Sequence, residues 1–150
     1  MKTKTLLLLC LLLGIAMTQV SAQNDKNGNG AQSLYGVWDW YWQPVYCNGV
    51  QVDNLSGTVT WHAIFINKNW VPMKSDAHYS GVVHGDWTGE NFKLSETDKQ
   101  DYITGILTWH FNLIGDHGSH YIGSMKLDLI NDPNGENIII DKMICAGSNK

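Results

Sequence analysis

The chain has 150 residues, a formal net charge of −4, and only lysine as a basic residue. An acidic chain without arginine lacks the cationic surface that neutralises phosphates, so no nucleic-acid partner is expected. Seven Trp and six Tyr make it rich in rings for its length, and that surface either fills a core or lines a binding wall.

Met1 to Ala22 begins with Lys2 and Lys4, continues as an apolar run from Leu6 to Met17, and ends in Val20-Ser21-Ala22. These are the three regions of a secretory signal with cleavage before Gln23. The apolar run is shorter than the roughly 20 residues that cross a bilayer, and no other segment approaches that length, so no membrane span is expected. The protein is therefore read as secreted or periplasmic after signal cleavage. Export would place Cys47 and Cys145 in an oxidising compartment, where an even pair bridges. Closing a loop of about a hundred residues in this way is worth on the order of 4 kcal/mol in the chain-entropy model.

Residues 23–33 (QNDKNGNGAQS) are polar and too poor in apolar side chains to bury anything, which predicts a flexible leader. The domain is then 34–150, the size of one ordinary unit. From Leu34 the chain alternates with the period of a strand: Gly36, Trp38, Trp40 and Trp42 share one face, and Tyr35, Val37, Asp39 and Tyr41 the other. Pro44 cannot donate to a ladder and marks a bend, and Asn48-Gly49 is the pair favoured in two-residue hairpins.

Gly57 to Ile66 (GTVTWHAIFI) is echoed by Gly105 to Ile114 (GILTWHFNLI), and both alternate. In the second, Leu107, Trp109, Phe111 and Leu113 share one face, and Thr108, His110 and Asn112 the other. Further strands are expected around 77–84, 89–95, 120–130 and 137–144, separated by Asn-, Asp- and Gly-rich turns. Only Glu96 to Asp101 could hold a turn of helix. The chain reads as all-β, a single antiparallel up-and-down barrel of about eight strands, with a β-sandwich as the alternative.

Leu34-Tyr35-Gly36-Val37-Trp38 resembles the Gly-x-Trp opening of the calycins, the superfamily of lipocalins, fatty-acid-binding proteins and avidins. The resemblance implies a barrel with Trp38 closing one end, a basic residue from the last strand packed across it, and a small ligand inside. Lys142 is the candidate for that basic residue, where lipocalins usually carry Arg. The biotin-contacting pattern of avidins is not found.

Burying an indole is worth a few kcal/mol and burying an unpaired imidazole costs a comparable amount, so the Trp face is expected inward and His62 and His110 outward. A small apolar or aromatic ligand would then meet Trp38, Trp40, Trp61, Trp109 and Phe111, in a secreted binding protein. Trp70 and Trp87, near strand ends or turns, are expected to be exposed. Six His invite a metal reading centred on His110, His117 and His120, but their spacing fits no ligand motif and no metal is assigned. Catalytic signatures are absent from the sequence: it has no nucleophile elbow, phosphate-cradling Gly loop or zinc-protease helix. Two other functions remain open, a barrel-mouth cyclase or isomerase using His62 and His110 as acid and base, and a structural or surface-interaction protein that could bind carbohydrate. No cofactor is named. Asn54-Leu55-Ser56 fits a glycosylation sequon.

Overall fold

The computed structural model describes residues 28–134 and 137–147, together with the backbone of 19–22. The expected signal up to residue 18 lies outside the described residues. Strands follow in the order β1 (Gln19–Ala22), β2 (Gly30–Cys47), β3 (Val50–Lys68), β4 (Val71–Gly85), β5 (Asn91–Asp101), β6 (Ile106–Gly115), β7 (His120–Asp128) and β8 (Ile139–Ala146). Each pairs antiparallel with the next, giving one sheet in strict sequence order. Seven of the strands run from Gly30 onward, and β1 adds four residues against Gln32–Tyr35. The expected all-β, up-and-down order is therefore present. Among the described residues the ladder has two edges, β1 and β8, and is not closed by hydrogen bonds; β2 and β8 touch and are joined by the Cys47–Cys145 disulfide, 98 residues apart in sequence.

The strands are longer than their apolar patterns suggest. β2 starts at Gly30, so 30–33, read as leader, pair with 64–67 on β3. Polar residues at a strand end satisfy the ladder as well as apolar ones, because the backbone supplies the bonds. For the same reason Glu96 to Asp101 forms no helical turn and continues β5, paired on both sides. Asn48 and Gly49 both take positive φ (51° and 79°), as their two-residue turn demands. A second such turn uses Asn69 and Trp70 (φ 51° and 67°), where Trp70 N donates to Gly28 O at 3.0 Å and Asn69 N donates to Asn29 Oδ1 at 3.0 Å.

One end of the sheet is sealed. Val45, Cys47, Leu55, Val59, Val83, Phe92, Leu94, Leu113 and Tyr121 form a continuous buried cluster against which Trp38, Trp40 and Phe111 pack. Two buried carboxylates tie the turns over it. Asp53 Oδ1 accepts from Asn54 N (2.8 Å) and Trp87 N (2.9 Å), while its Oδ2 accepts from Thr88 Oγ1 (2.6 Å). Glu90 accepts from Ser119 Oγ (2.5 Å), Ser119 N (3.2 Å) and His117 N (3.3 Å). A buried acid is tolerable only when its oxygens are so satisfied. The 86–90 and 116–119 turns are thus held across the end of the core.

A candidate ligand-binding face

Alternation assigns the two faces. The inner face carries Trp38 and Trp40 on β2, Trp61 on β3, Tyr79 on β4, Trp109 and Phe111 on β6, and Met125 on β7, all partly buried. His62 and His110 are exposed on the outer face, as expected from the cost of burying an unpaired imidazole. His62 Nε2 hydrogen-bonds Ser33 Oγ at 2.7 Å, and His78 Nδ1 hydrogen-bonds Thr97 Oγ1 at 3.1 Å, so the outer side is a hydroxyl and imidazole surface.

Three cross-strand rows on the inner face differ in burial. Nearest the sealed end is Trp38, Val59, Gly81, Leu94, Leu113, Tyr121 and Cys145, aligned strand by strand and largely buried. The middle row is Gly36, Trp61, Tyr79, Glu96, Phe111, Gly123 and Met143. Next to it lies Leu34, Ala63, Ala77, Asp98, Trp109, Met125 and Ile140. In these two rows every ring is only half-buried. Glycine makes room for the rings: a Cβ on Gly36 would stand 3.0 Å from the Trp61 indole, and one on Gly123 would collide with Phe111.

The five expected wall residues therefore divide. Trp38 and Trp40 are packing partners of the buried cluster, Phe111 sits at its boundary, and Trp61 and Trp109 line the half-buried rows. Trp42 leaves the indole ladder. Its φ of 53° and the register shift between Trp40 and Gln43 form a bulge, and the side chain is 76% exposed. Pro44 is within this irregular stretch. Trp70 and Trp87 are exposed, as expected.

The residues no sequence pattern singled out are Glu96 and Asp98. Two apart on β5, they point into the rings, and a hydrogen bond joins their carboxyls. Burial pushes both above the ordinary carboxylate range, and Glu96 rises further because the Asp98 charge stands beside it. Opposite Glu96, the Tyr79 hydroxyl is also raised, first by burial and then by the charges of Asp98 and Glu96. Asp98 Oδ1 is buried without a hydrogen-bond partner. The signal available in the sequence was strand period: extending β5 through Thr97 would have put both acids on the face of Leu94.

Comparison with known proteins adds no identity. No family model, curated protein or solved structure matches this chain. Its chemistry has to be read from its own residues.

The metal candidates do not converge. His110 pairs with Ser124 and His120 with Ile114, four residues apart along the ladder, or roughly 13 Å. His120 Nε2 hydrogen-bonds Asn112 Oδ1 at 2.7 Å, and His117 lies in the turn, 3.5 Å from Asp116. Among the described residues no group of three His, Cys, Asp or Glu side chains could hold a metal ion. Lys142 pairs with Ser124 on the outer face and is exposed, so it does not pack across Trp38 as the calycin resemblance implied. Two open depressions, of about 520 and 290 Å³, also lie mainly along the outer face, the first beside Ile64, Ile66 and Ile106 and the second beside His110 and Lys142. No helix among the described residues is long and apolar enough to cross a membrane.

Proposed function

We propose that this is an exported binding protein that holds a small ligand with a mainly apolar or aromatic body against the inner face between Trp61 and Trp109. The observation that carries this reading is the unfinished burial of that face. Aromatic surface left half-exposed beside a fully buried core forgoes a few kcal/mol of transfer free energy per ring, which a ligand of the right shape would recover. The up-and-down strand order and the Gly36-x-Trp38 opening agree with a calycin-type barrel, and the disulfide agrees with an oxidising compartment.

A titration of intrinsic Trp fluorescence with a panel of fatty acids, haem, neutral aromatic molecules and sugars tests the reading. Saturable quenching is expected for apolar or aromatic members of the panel, and Trp61→Ala and Trp109→Ala each weaken it. A flat response to the whole panel in the folded protein, or quenching unchanged in both variants, would sink the proposal.

A further inference from the structure

Resting on that reading, we propose that the ligand is a cation, an organic ammonium whose charged head is taken by the Glu96 and Asp98 pair and whose apolar body lies against Trp61, Trp109 and Phe111.

Three observations carry the assignment. First, the two acids stand on the inner face within the aromatic rows, not at a solvated rim. Second, among the described residues the face has no base to balance them. The six described lysines, at 68, 74, 93, 99, 126 and 142, all occupy outer-face or strand-end positions, and the chain has no arginine. Third, Asp98 Oδ1 is an unmet acceptor. The other buried oxygen without a hydrogen-bond partner, Asp76 Oδ1, has His78 Nε2 at 3.4 Å, and the second oxygen of that carboxylate has Lys99 Nζ at 3.1 Å. No lysine or histidine forms an ion pair with Asp98 or Glu96 among the described residues.

The structural explanation of a buried acid, that it nails down backbone donors, fits Asp53 and Glu90 and fails here. Those two accept three hydrogen bonds each, all but one of them (Asn54 N, on the same strand as Asp53) from neighbouring turns. For Glu96 and Asp98 the partner is the other acid. Two carboxyls that share a proton among rings form a site whose unmet chemistry is positive charge and N–H donors, and the ring faces add attraction for the same cation. An ammonium group satisfies both, displacing the shared proton as it binds. The titratable groups facing the pair from adjoining strands are Tyr79 on β4 and, acting through it, Tyr102. From β6 the facing side chains are Trp109 and Phe111, which do not titrate.

The test compares phenethylammonium with its neutral isostere 2-phenylethanol, using N-phenyl-1-naphthylamine as a neutral reporter of the aromatic face. Calorimetry near pH 7 is run in two buffers of different ionisation enthalpy. The ammonium is expected to bind roughly tenfold or more tighter than the alcohol, the size of a charge-assisted hydrogen bond, and to release a proton. The double variant Glu96→Gln/Asp98→Asn is expected to keep its fold by circular dichroism, bind the reporter, and lose the preference. If wild type binds the reporter but treats ammonium and alcohol alike, the cation assignment is overturned while the aromatic face stands. Binding of none of the three overturns both. Should the double variant not fold, Asp98→Asn alone decides: an undiminished preference overturns the assignment.

Discussion

The ring of Phe111 occupies the space that a side chain on Gly123 would need, one strand away on the same inner face. The small and large residues are therefore coupled across the β6–β7 pair. Gly123→Ala is expected to displace the ring and cost about 1–3 kcal/mol, the usual range for overpacking. Phe111→Leu in the same chain should return part of that loss. Urea midpoints of the two single variants and the double variant would show it, and strictly additive effects would mean that the ring and the glycine do not compete.

The disulfide makes a different kind of contribution. Of the eight residues of β8, only Met143 is not exposed, so this edge strand has little burial to hold it. It is kept by its ladder to β7 and by Cys145, whose Cα is 6.1 Å from that of Cys47. Replacing both cysteines with alanine is expected to cost on the order of 4 kcal/mol by the loop-closure argument. Hydrogen exchange should show amides of 139–146 losing protection before those of β3 to β6. The native protein should weigh two hydrogens less than its reduced form, with Cys47 and Cys145 in one linked peptide.

Strand period made much of this fold legible. The inward Trp61 and Trp109, the outward His62 and His110, the Asn48-Gly49 turn and the cysteine pairing all follow from alternation, turn chemistry and the expected compartment. The echo between 57–66 and 105–114 also places its Trp and His on matching faces. Its two copies, however, lie on β3 and β6, three strands apart and so running in opposite directions, with Trp61 and Trp109 in different rows. Composition misled at β5. Glu96-Thr97-Asp98-Lys99 looks like solvated linker because nothing in a charge pattern reveals that neighbouring strands are long enough to cover it. The bulge at Trp42 was hidden for a related reason: a pleat is broken by one positive φ, which residue type at that position does not announce.

Asp53 is the clearest case of an acid that serves the fold. Fully buried, it accepts two backbone N–H groups and one hydroxyl. Asp53→Ala would leave those donors without their acceptor, at about 1–3 kcal/mol for each that finds no new partner, so a loss of about 3 kcal/mol is expected. Asp101→Ala removes a comparable number of contacts, to Ile103 N, Thr104 N and Lys74, but at a turn open to solvent. That change should cost much less than Asp53→Ala, since water replaces what is lost. Thermal unfolding of the two variants side by side gives the comparison, and equal losses would contradict the burial argument.

The inner-face acids also give the protein a pH signature of definite sign. Glu96 is pushed up from 4.5 to about 8 and Asp98 from 3.8 to about 6, in both cases chiefly by burial. Both titrate at their ordinary values once the chain unfolds. Between about pH 4 and pH 8 the folded protein thus holds more protons than the unfolded one, and unfolding releases them. Stability from this pair is fully present below that window and falls as pH rises through it. The exposed carboxyls Asp101, Asp116 and Asp128, each lowered by hydrogen bonds in or between turns, act with the opposite sign but below the ordinary carboxylate range, so the two effects separate. Urea unfolding at pH 5 and at pH 8 should therefore show the protein less stable at the higher pH by at least about 1 kcal/mol, as a displacement of one unit is worth about 1.4 kcal/mol. Glu96→Gln/Asp98→Asn keeps the shape of the pair while removing both titrations, and it should flatten most of the slope. An unchanged slope in that variant would place its origin outside the pair, and a flat profile in the wild type would show that both acids ionise at their ordinary values in the folded state.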